Sequence, residues 1–570
     1  MEPPKLMSNR LFPLGRHWAI AALALLLFST AFGAEPRPAR AAIATAHPLA
    51  TAAGMEVLEQ GGNAFDAAVA VSAALAVVEP NGSGLGGGAF WLMHRAADGL
   101  DVMVDGREAA PGAATRDMYL DAAGNPIPRA SMDGPLAAGI PGQPAGLAHI
   151  TEKYGNLSLA ENLAPAIRIA RDGFPLYARL RAGLRFKLEL LKRWPAGPEV
   201  FLPGGELPEL GFVIRQPDLA RTLEAMAANG AAGFYDGDVA ARLVAAARAE
   251  GGIWTREDLR SYRVVEREPV IGEYRGMRVI SASPPSSGGV ALINALGMLA
   301  GYQLETLDPV TAQHLIVEAM RRAFRDRAEY LGDPDFVDVP VEQLTHPFYA
   351  AGQRASIRFD RATPSADLPG ILPAGTKGTE TTHFSVMDAE GNRVAASLSL
   401  NFWFGSGFMA PGTGVFLNNE MDDFSIKAGV PNGYQLVGAD ANKIVPGKRM
   451  LSSMTPTFLE SDRGIAILGT PGGSRIISMV LLASLAWHQG ASAEEMVSLP
   501  RYHHQYLPDV VSFEPDAIAA ERQAALAELG HEVKALTRRY GNLQVVTWDF
   551  ASGEVEAASD PRGEGEGRVY

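Results

Sequence analysis

Between residues 381 and 401 the chain reads Thr-Thr-His-Phe-Ser-Val-Met-Asp, then Ala-Glu-Gly-Asn, then Arg-Val-Ala-Ala-Ser-Leu-Ser-Leu-Asn. Strand-forming residues lie on both sides of a turn in which Gly391 and Asn392 tolerate positive φ, which predicts a β-hairpin centred near Glu390. Pairing about residue 390 sets Thr381 opposite Ser399, with Asn401 just beyond the strand start. Residues 361–380 (RATPSADLPGILPAGTKGTE) carry no periodicity and predict a flexible, exposed segment. Such a segment running into a strand that opens with threonine suggests a cut between Glu380 and Thr381. The cut leaves a hydroxyl and an α-amine on one residue. An α-amine titrates near roughly pH 8, so it can take the hydroxyl proton without a separate histidine. The plain alternative is an ordinary strand start.

Two features of the composition narrow the chemistry. The 570 residues contain no cysteine, which excludes thiol catalysis, disulfides, thiolate metal sites and a lipid anchor on cysteine. The formal net charge of -14 argues against nucleic acid, which needs a basic face.

Ahead of the hairpin, Leu49 to Leu58 and Asp66 to Val78 predict Ala-rich helices, followed by Pro80 and a glycine-rich loop from Gly82 to Gly88. Strands are expected at Phe90–Met93, Asp101–Val104 and Arg278–Ser281, with helices filling 140–260 and 308–331. Gly82, Gly84 and Gly87 match the spacing of a dinucleotide loop, with Asp105 further on. That loop must follow a strand and open a helix, whereas here a helix precedes it and a strand follows. His383, His503 and His504 are expected to pack or hydrogen-bond rather than hold a metal, since adjacent histidines point apart. Glu318, Arg321, Arg322, Arg325 and Arg327 predict a solvated or subunit-facing side of the helix at 312–331.

At the N-terminus, Lys5, Arg10 and Arg16 precede an apolar run from Trp18 to Gly33, with small residues placed for cleavage near Ala34. This order predicts a signal peptide over 1–34 and a periplasmic or secreted protein. An uncleaved membrane anchor is the other reading.

Ten stretches carry a further signal: GGNAFDAAVAV (61–71), SGLGGGAFWL (83–92), REAAPGAATRDMYLD (107–121), TTHFSV (381–386), GVFLNNEMDDFS (414–425), GVPNGYQLVGADAN (429–442), RMLSSMTPT (449–457), GTPGGSRII (469–477), PRYHHQYLPD (500–509) and ASDPR (558–562). In these blocks, and in their order, the chain from about Pro48 to Tyr570 resembles the γ-glutamyltranspeptidase (glutathione hydrolase) family. The resemblance implies the α/β fold of N-terminal-nucleophile hydrolases, an αββα four-layer sandwich. It also implies a precursor that cuts itself before Thr381 into a large subunit (35–380) and a small catalytic subunit (381–570) that stay together as a heterodimer, without cofactor or metal. The implied substrate is a γ-glutamyl amide such as glutathione, and water or an amino acid takes the glutamyl group.

Site roles follow from the same resemblance. Arg107, Ser452 and Ser453 would hold the substrate α-carboxylate, a task suited to a planar two-pronged cation. Glu420 and Asp423, assisted by Asn401, would take the α-ammonium. Gly472 and Gly473 would offer backbone N–H groups to the oxyanion, and Tyr434 lies in a lid loop. The sequence departs from the family at Ser399, where a second threonine is usual, and at Phe402-Trp403, where small polar residues are usual. Alternatives are a related amidase with a different substrate (a β-lactam side-chain acylase or polyglutamate depolymerase) and an unprocessed, non-catalytic binding protein.

Overall fold

The computed structural model describes Met1, residues 37–368 and residues 381–570. The predicted signal segment, the later part of the predicted linker and Glu380 lie outside them. Among the described residues no helix is long and apolar enough to cross a membrane.

Before residue 380 the chain contributes strands β1 (Ala42–Thr45), β2 (Gly88–Arg95), β3 (Leu100–Gly106), β4 (Val265–Arg267), β5 (Val270–Tyr274) and β6 (Met277–Ser281). After it come β7 (Thr382–Met387), β8 (Arg393–Ser399), β9 (Thr457–Ser461), β10 (Gly464–Gly469), β11 (Gln544–Asp549), β12 (Val555–Ser559) and β13 (Glu566–Val569). The helices that matter here are α1 (Pro48–Glu59), α2 (Ala64–Val78), α3 (Ala178–Leu191), α4 (Gly288–Leu299), α5 (Pro309–Tyr330) and α6 (Arg475–His488). One sheet runs in the order β13-β1-β7-β8-β2-β3-β4 and the other β12-β11-β10-β9-β6-β5. Strands from the two sides of residue 380 are therefore interleaved in the first sheet and adjoin in the second.

The side-chain period of two builds the layers. Trp91 and Met93 face α1 and α2 with Phe65 and Val69, while Leu92 between them joins Ala395, Ile280, Phe458 and Ile467 in the space between the sheets. On the second sheet Ala466 and Leu468 turn the other way, onto Leu292, Leu296 and Val480 of the outer helices. Each sheet is covered on both faces, an αββα sandwich. This explains why β8 is buried along its whole length and shows no polar alternation.

Local rules set the ends of α2. Asn63 accepts from the backbone of Phe65 and Asp66 at 2.9 and 3.0 Å, and Asp66 accepts back from Asn63 N. The helix leads into the glycine loop and then β2, the order that excludes a dinucleotide turn. Those glycines serve close approach instead. A Cβ on Gly87 would stand 2.0 Å from the carbonyl oxygen of Ser399.

Two expectations need correction. The segment expected to be flexible from residue 361 is pinned over its first part: Ala362 N donates to Leu529 O at 2.6 Å, Ser365 N to Asp509 Oδ2 at 2.6 Å, and Thr363 N to Glu318 Oε1 at 3.1 Å. The charged side of α5 is not solvated. Glu318, Arg321, Arg322 and Arg327 are buried, and Glu318 binds Arg321 and Arg322 at 3.1 and 2.6 Å. Mutual neutralisation permits this burial.

Candidate active site

The hairpin has the predicted register. Arg393 pairs with Met387 and Leu398 with Thr382, so the next step outward sets Ser399 against Thr381. Thr381 is buried, and its side chain faces a small cavity together with Arg107, Ser399, Asn401, Glu420, Asp423, Tyr434, Ser452, Ser453 and Gly473. Gly472 lines the neighbouring cavity. Sequence positions spread over more than 350 residues thus meet around one threonine.

Arg107 follows β3 and is almost wholly buried. Its terminal nitrogens lie 2.8 Å from Glu420 Oε2 and 2.5 Å from Asp423 Oδ2, and its Nε donates to Met450 O at 3.2 Å. Burial pulls the guanidinium pKa down, but Glu420, Glu108 and Asp423 together hold it above its ordinary value. Burial pushes Glu420 above the usual carboxylate range, with Arg107 pulling the other way. The cavity is only about 20 Å3, room for about one water. The charged groups lining it pair with one another.

Two buried acceptors on this wall, Asn401 Oδ1 and Glu420 Oε1, have no hydrogen-bond partner among the described residues. Asn401 is held at φ 73 by its Nδ2, which donates to Asn419 O at 2.8 Å, and by its backbone N–H, which donates to Ser399 Oγ at 2.7 Å. A positive φ in a non-glycine residue marks a position the surroundings enforce. Orphaned acceptors beside a carboxylate suit a cation such as an ammonium.

The glycines Gly472 and Gly473 lie between the end of β10 and the start of α6. Arg475 N and Ile476 N donate to their carbonyls, so the first turn begins there, with the positive end of the helix facing the threonine side. Gly473 has φ 57, and a Cβ on it would lie 2.3 Å from the Tyr434 ring. That ring stacks on Phe402 at 4.6 Å, and its hydroxyl donates to Asn401 O at 2.6 Å. Tyr434 therefore covers the glycine pair. Asn432 of the same loop donates to Asp423 Oδ1 at 3.1 Å, and Gly433 N to Asp422 Oδ2 at 2.8 Å.

Sequence reading missed residues that hold the site's serine and aspartate side chains in place. Arg327 of α5 donates to Ser453 Oγ at 3.2 Å and to Ser287 Oγ at 3.0 Å, and burial pulls its guanidinium down to about 10, against Asp423 and with Arg107. Asp422 was also missed; burial pushes it up to about 6, and Ser131 Oγ donates to it at 2.7 Å.

The histidines pack as expected. His383 Nδ1 lies 2.8 Å from Ser397 Oγ, and His503 Nδ1 lies 2.7 Å from Ser478 Oγ. A tighter cluster, His314, Glu318 and His531, was not foreseen. Its hydrogen bonds have one consistent direction. His314 Nε2 donates to Arg358 O at 2.6 Å, which leaves Nδ1 to accept from His531 Nε2 at 2.8 Å, and His531 Nδ1 accepts from Arg321 at 3.3 Å. With Glu318 taken by two arginines, the cluster is a buried hydrogen-bond chain.

Two facing antiparallel sheets between helix layers, with a threonine entering a central strand at a cavity of convergent polar groups, define an N-terminal-nucleophile hydrolase. A solved cephalosporin acylase from Bacillus halodurans shares the fold, with a TM-score of 0.81 at 28% identity over 95% of this chain and 98% of that one. The family model described as gamma-glutamyltranspeptidase matches residues 50–570, and the chain belongs to that enzyme family. It is 41% identical over 530 residues to the glutathione hydrolase proenzyme of Escherichia coli (strain K12), covering 91% of this chain and 90% of that protein. It is 44% identical over 496 residues to the glutathione hydrolase proenzyme of Pseudomonas sp. (strain A14), covering 86% of each.

Proposed function

We propose that the chain is an exported precursor that cuts itself between Glu380 and Thr381 and then hydrolyses or transfers the γ-glutamyl group of glutathione and related amides. One observation carries the substrate reading. A buried guanidinium stands between two carboxylates, beside two unpartnered acceptors and next to Thr381. An α-amino acid head has the complementary charges. Its carboxylate takes Arg107, with Ser452 and Ser453 beside it, and its ammonium takes Glu420, Asp423 and Asn401. The substrate replaces the internal ion pairs one for one, so no charge stays buried without a partner.

In self-cleavage the Thr381 hydroxyl oxygen attacks the carbonyl carbon of Glu380, the C–N bond breaks, and the hydroxyl proton passes to the freed amine. Water then hydrolyses the ester. In turnover that amine accepts the hydroxyl proton as the oxygen attacks the γ-carbonyl, and the N–H groups at Gly472 and Gly473 hold the oxyanion. The proton passes to the departing amine. Water or an acceptor amine then attacks the glutamyl ester and regenerates the hydroxyl. Ser399 steadies the nucleophile from across the hairpin. The interleaved sheets support a pair of subunits that stay together after the cut, since parting them would break both sheets.

The test is electrophoresis with a γ-glutamyl anilide assay. Wild type yields a 190-residue piece beginning at Thr381 and releases nitroaniline. An intact, inactive wild-type chain refutes the reading.

A further inference from the structure

Beside the small cavity lies a larger one of about 740 Å3, and the two share walls of consecutive residues, Asn401–Phe402 and Gly472–Gly473. A substrate whose glutamyl head fills the small cavity can extend past these residues into the larger one. The larger cavity is thus placed to receive what the amide nitrogen carries. Its volume suits a group of dipeptide size.

The lining is cationic and contains no carboxylate, in a chain whose net charge is -14. Arg129 and Arg562 on this wall are committed to Asp133 and Glu514. Lys187 of α3 is not. It is 8% exposed and has no hydrogen bond or ion pair among the described residues. Its ammonium lies only near the rings of Phe186 and Phe402, at 5.7 and 5.8 Å. Asp133, an acid that acts on it electrostatically, is already held by Arg129 and Arg193. Burial and Arg129 push the Lys187 pKa down to about 8, against the pull of Asp133. A lysine whose stem is buried and whose ammonium opens onto a cavity without a paired counter-ion favours a ligand that supplies one. A second donor on the same wall, Trp403 Nε1, is buried without an acceptor among the described residues. Arg538 and Arg539 stand at the exposed rim with no ion pair among the described residues.

We propose that Lys187 sets leaving-group and acceptor specificity by binding a carboxylate on the amine side of the scissile amide, with Phe402 and Trp403 packing against that group. The departure from small polar residues at 402–403 thus has a use: the aromatic pair walls a pocket that Lys187 charges. The proposal rests on the γ-glutamyl reading above.

The test compares kcat/KM for γ-glutamyl-4-nitroanilide and its 3-carboxy analogue. Wild type should favour the carboxylated anilide by about tenfold, the scale of one hydrogen bond to a charged group. Lys187→Gln should bring the ratio near unity, and Lys187→Arg should retain it. A wild-type ratio of one or less overturns the proposal without any variant, as does an equal preference in wild type and Lys187→Gln. If wild type turns over neither anilide, the γ-glutamyl reading fails; a ratio of one with both turned over removes only the role of Lys187.

Discussion

Arg107 Nη1 stands 2.8 Å from Glu420 Oε2 inside a cavity of about 20 Å3, so the groups that fit a zwitterionic substrate neutralise each other while they wait. Binding is an exchange of partners rather than the filling of an open slot. Arg107→Lys keeps the charge but loses the fork, and should raise KM about 100-fold with little loss of thermal stability. Arg107→Ala strands buried carboxylates and should lower stability by about 3–5 kcal/mol as well. Thermal melts beside Michaelis curves separate the two effects; an unchanged KM in Arg107→Lys would count against the assignment.

Removing the Thr381 hydroxyl tests self-cleavage and turnover together. Thr381→Ala should accumulate as one uncut, inactive chain, while Thr381→Ser should cut and turn over more slowly. Intact-mass measurement distinguishes them. Activity in an uncut Thr381→Ala chain would end the nucleophile assignment.

Ser399 gives a subtler readout. Its Oγ accepts from Asn401 N at 2.7 Å and its backbone packs on Gly87. Loss of one buried hydrogen bond of this kind costs about 1–2 kcal/mol, so Ser399→Ala should lower kcat about tenfold. Ser399→Thr adds a methyl that limits χ1 and should restore or raise kcat. A kcat in Ser399→Ala equal to wild type would place the hydroxyl outside the reaction.

Acid should weaken the fold. Burial pushes His47 and His504 down to about 4, and His383, His503 and His531 to about 3, from an ordinary 6.5. Below pH 6.5 the unfolded chain binds protons that the folded one refuses, so stability falls as pH drops from 6.5 toward 4. Melting temperatures measured from pH 7 to pH 4.5 should decline steeply, and His503→Gln should flatten the slope. A constant melting temperature over that range would contradict neutral burial.

The hairpin, its register and its turn were legible because strand pairing follows from a period of two and from turn residues adjacent in sequence. The helices at 48–59 and 64–78 were legible for the same local reason. Arg107, Glu420, Asp423, Ser452 and Gly473 were reached only through a resemblance to a family, because nothing local to any one of them points to the others.

Tertiary structure alone decided what is buried with what. The sequence cannot say that the arginines of residues 309–330 turn inward, since charge reads as solvent exposure until the fold packs other elements over the helix. Nor can it say that Thr363 and Ser365 are tied down, or that Lys187 stands uncompensated against Phe402. Periodicity and turn chemistry act over a few residues and can be read along the chain. Burial and ion pairing depend on distances that exist only once the two sheets have closed on each other.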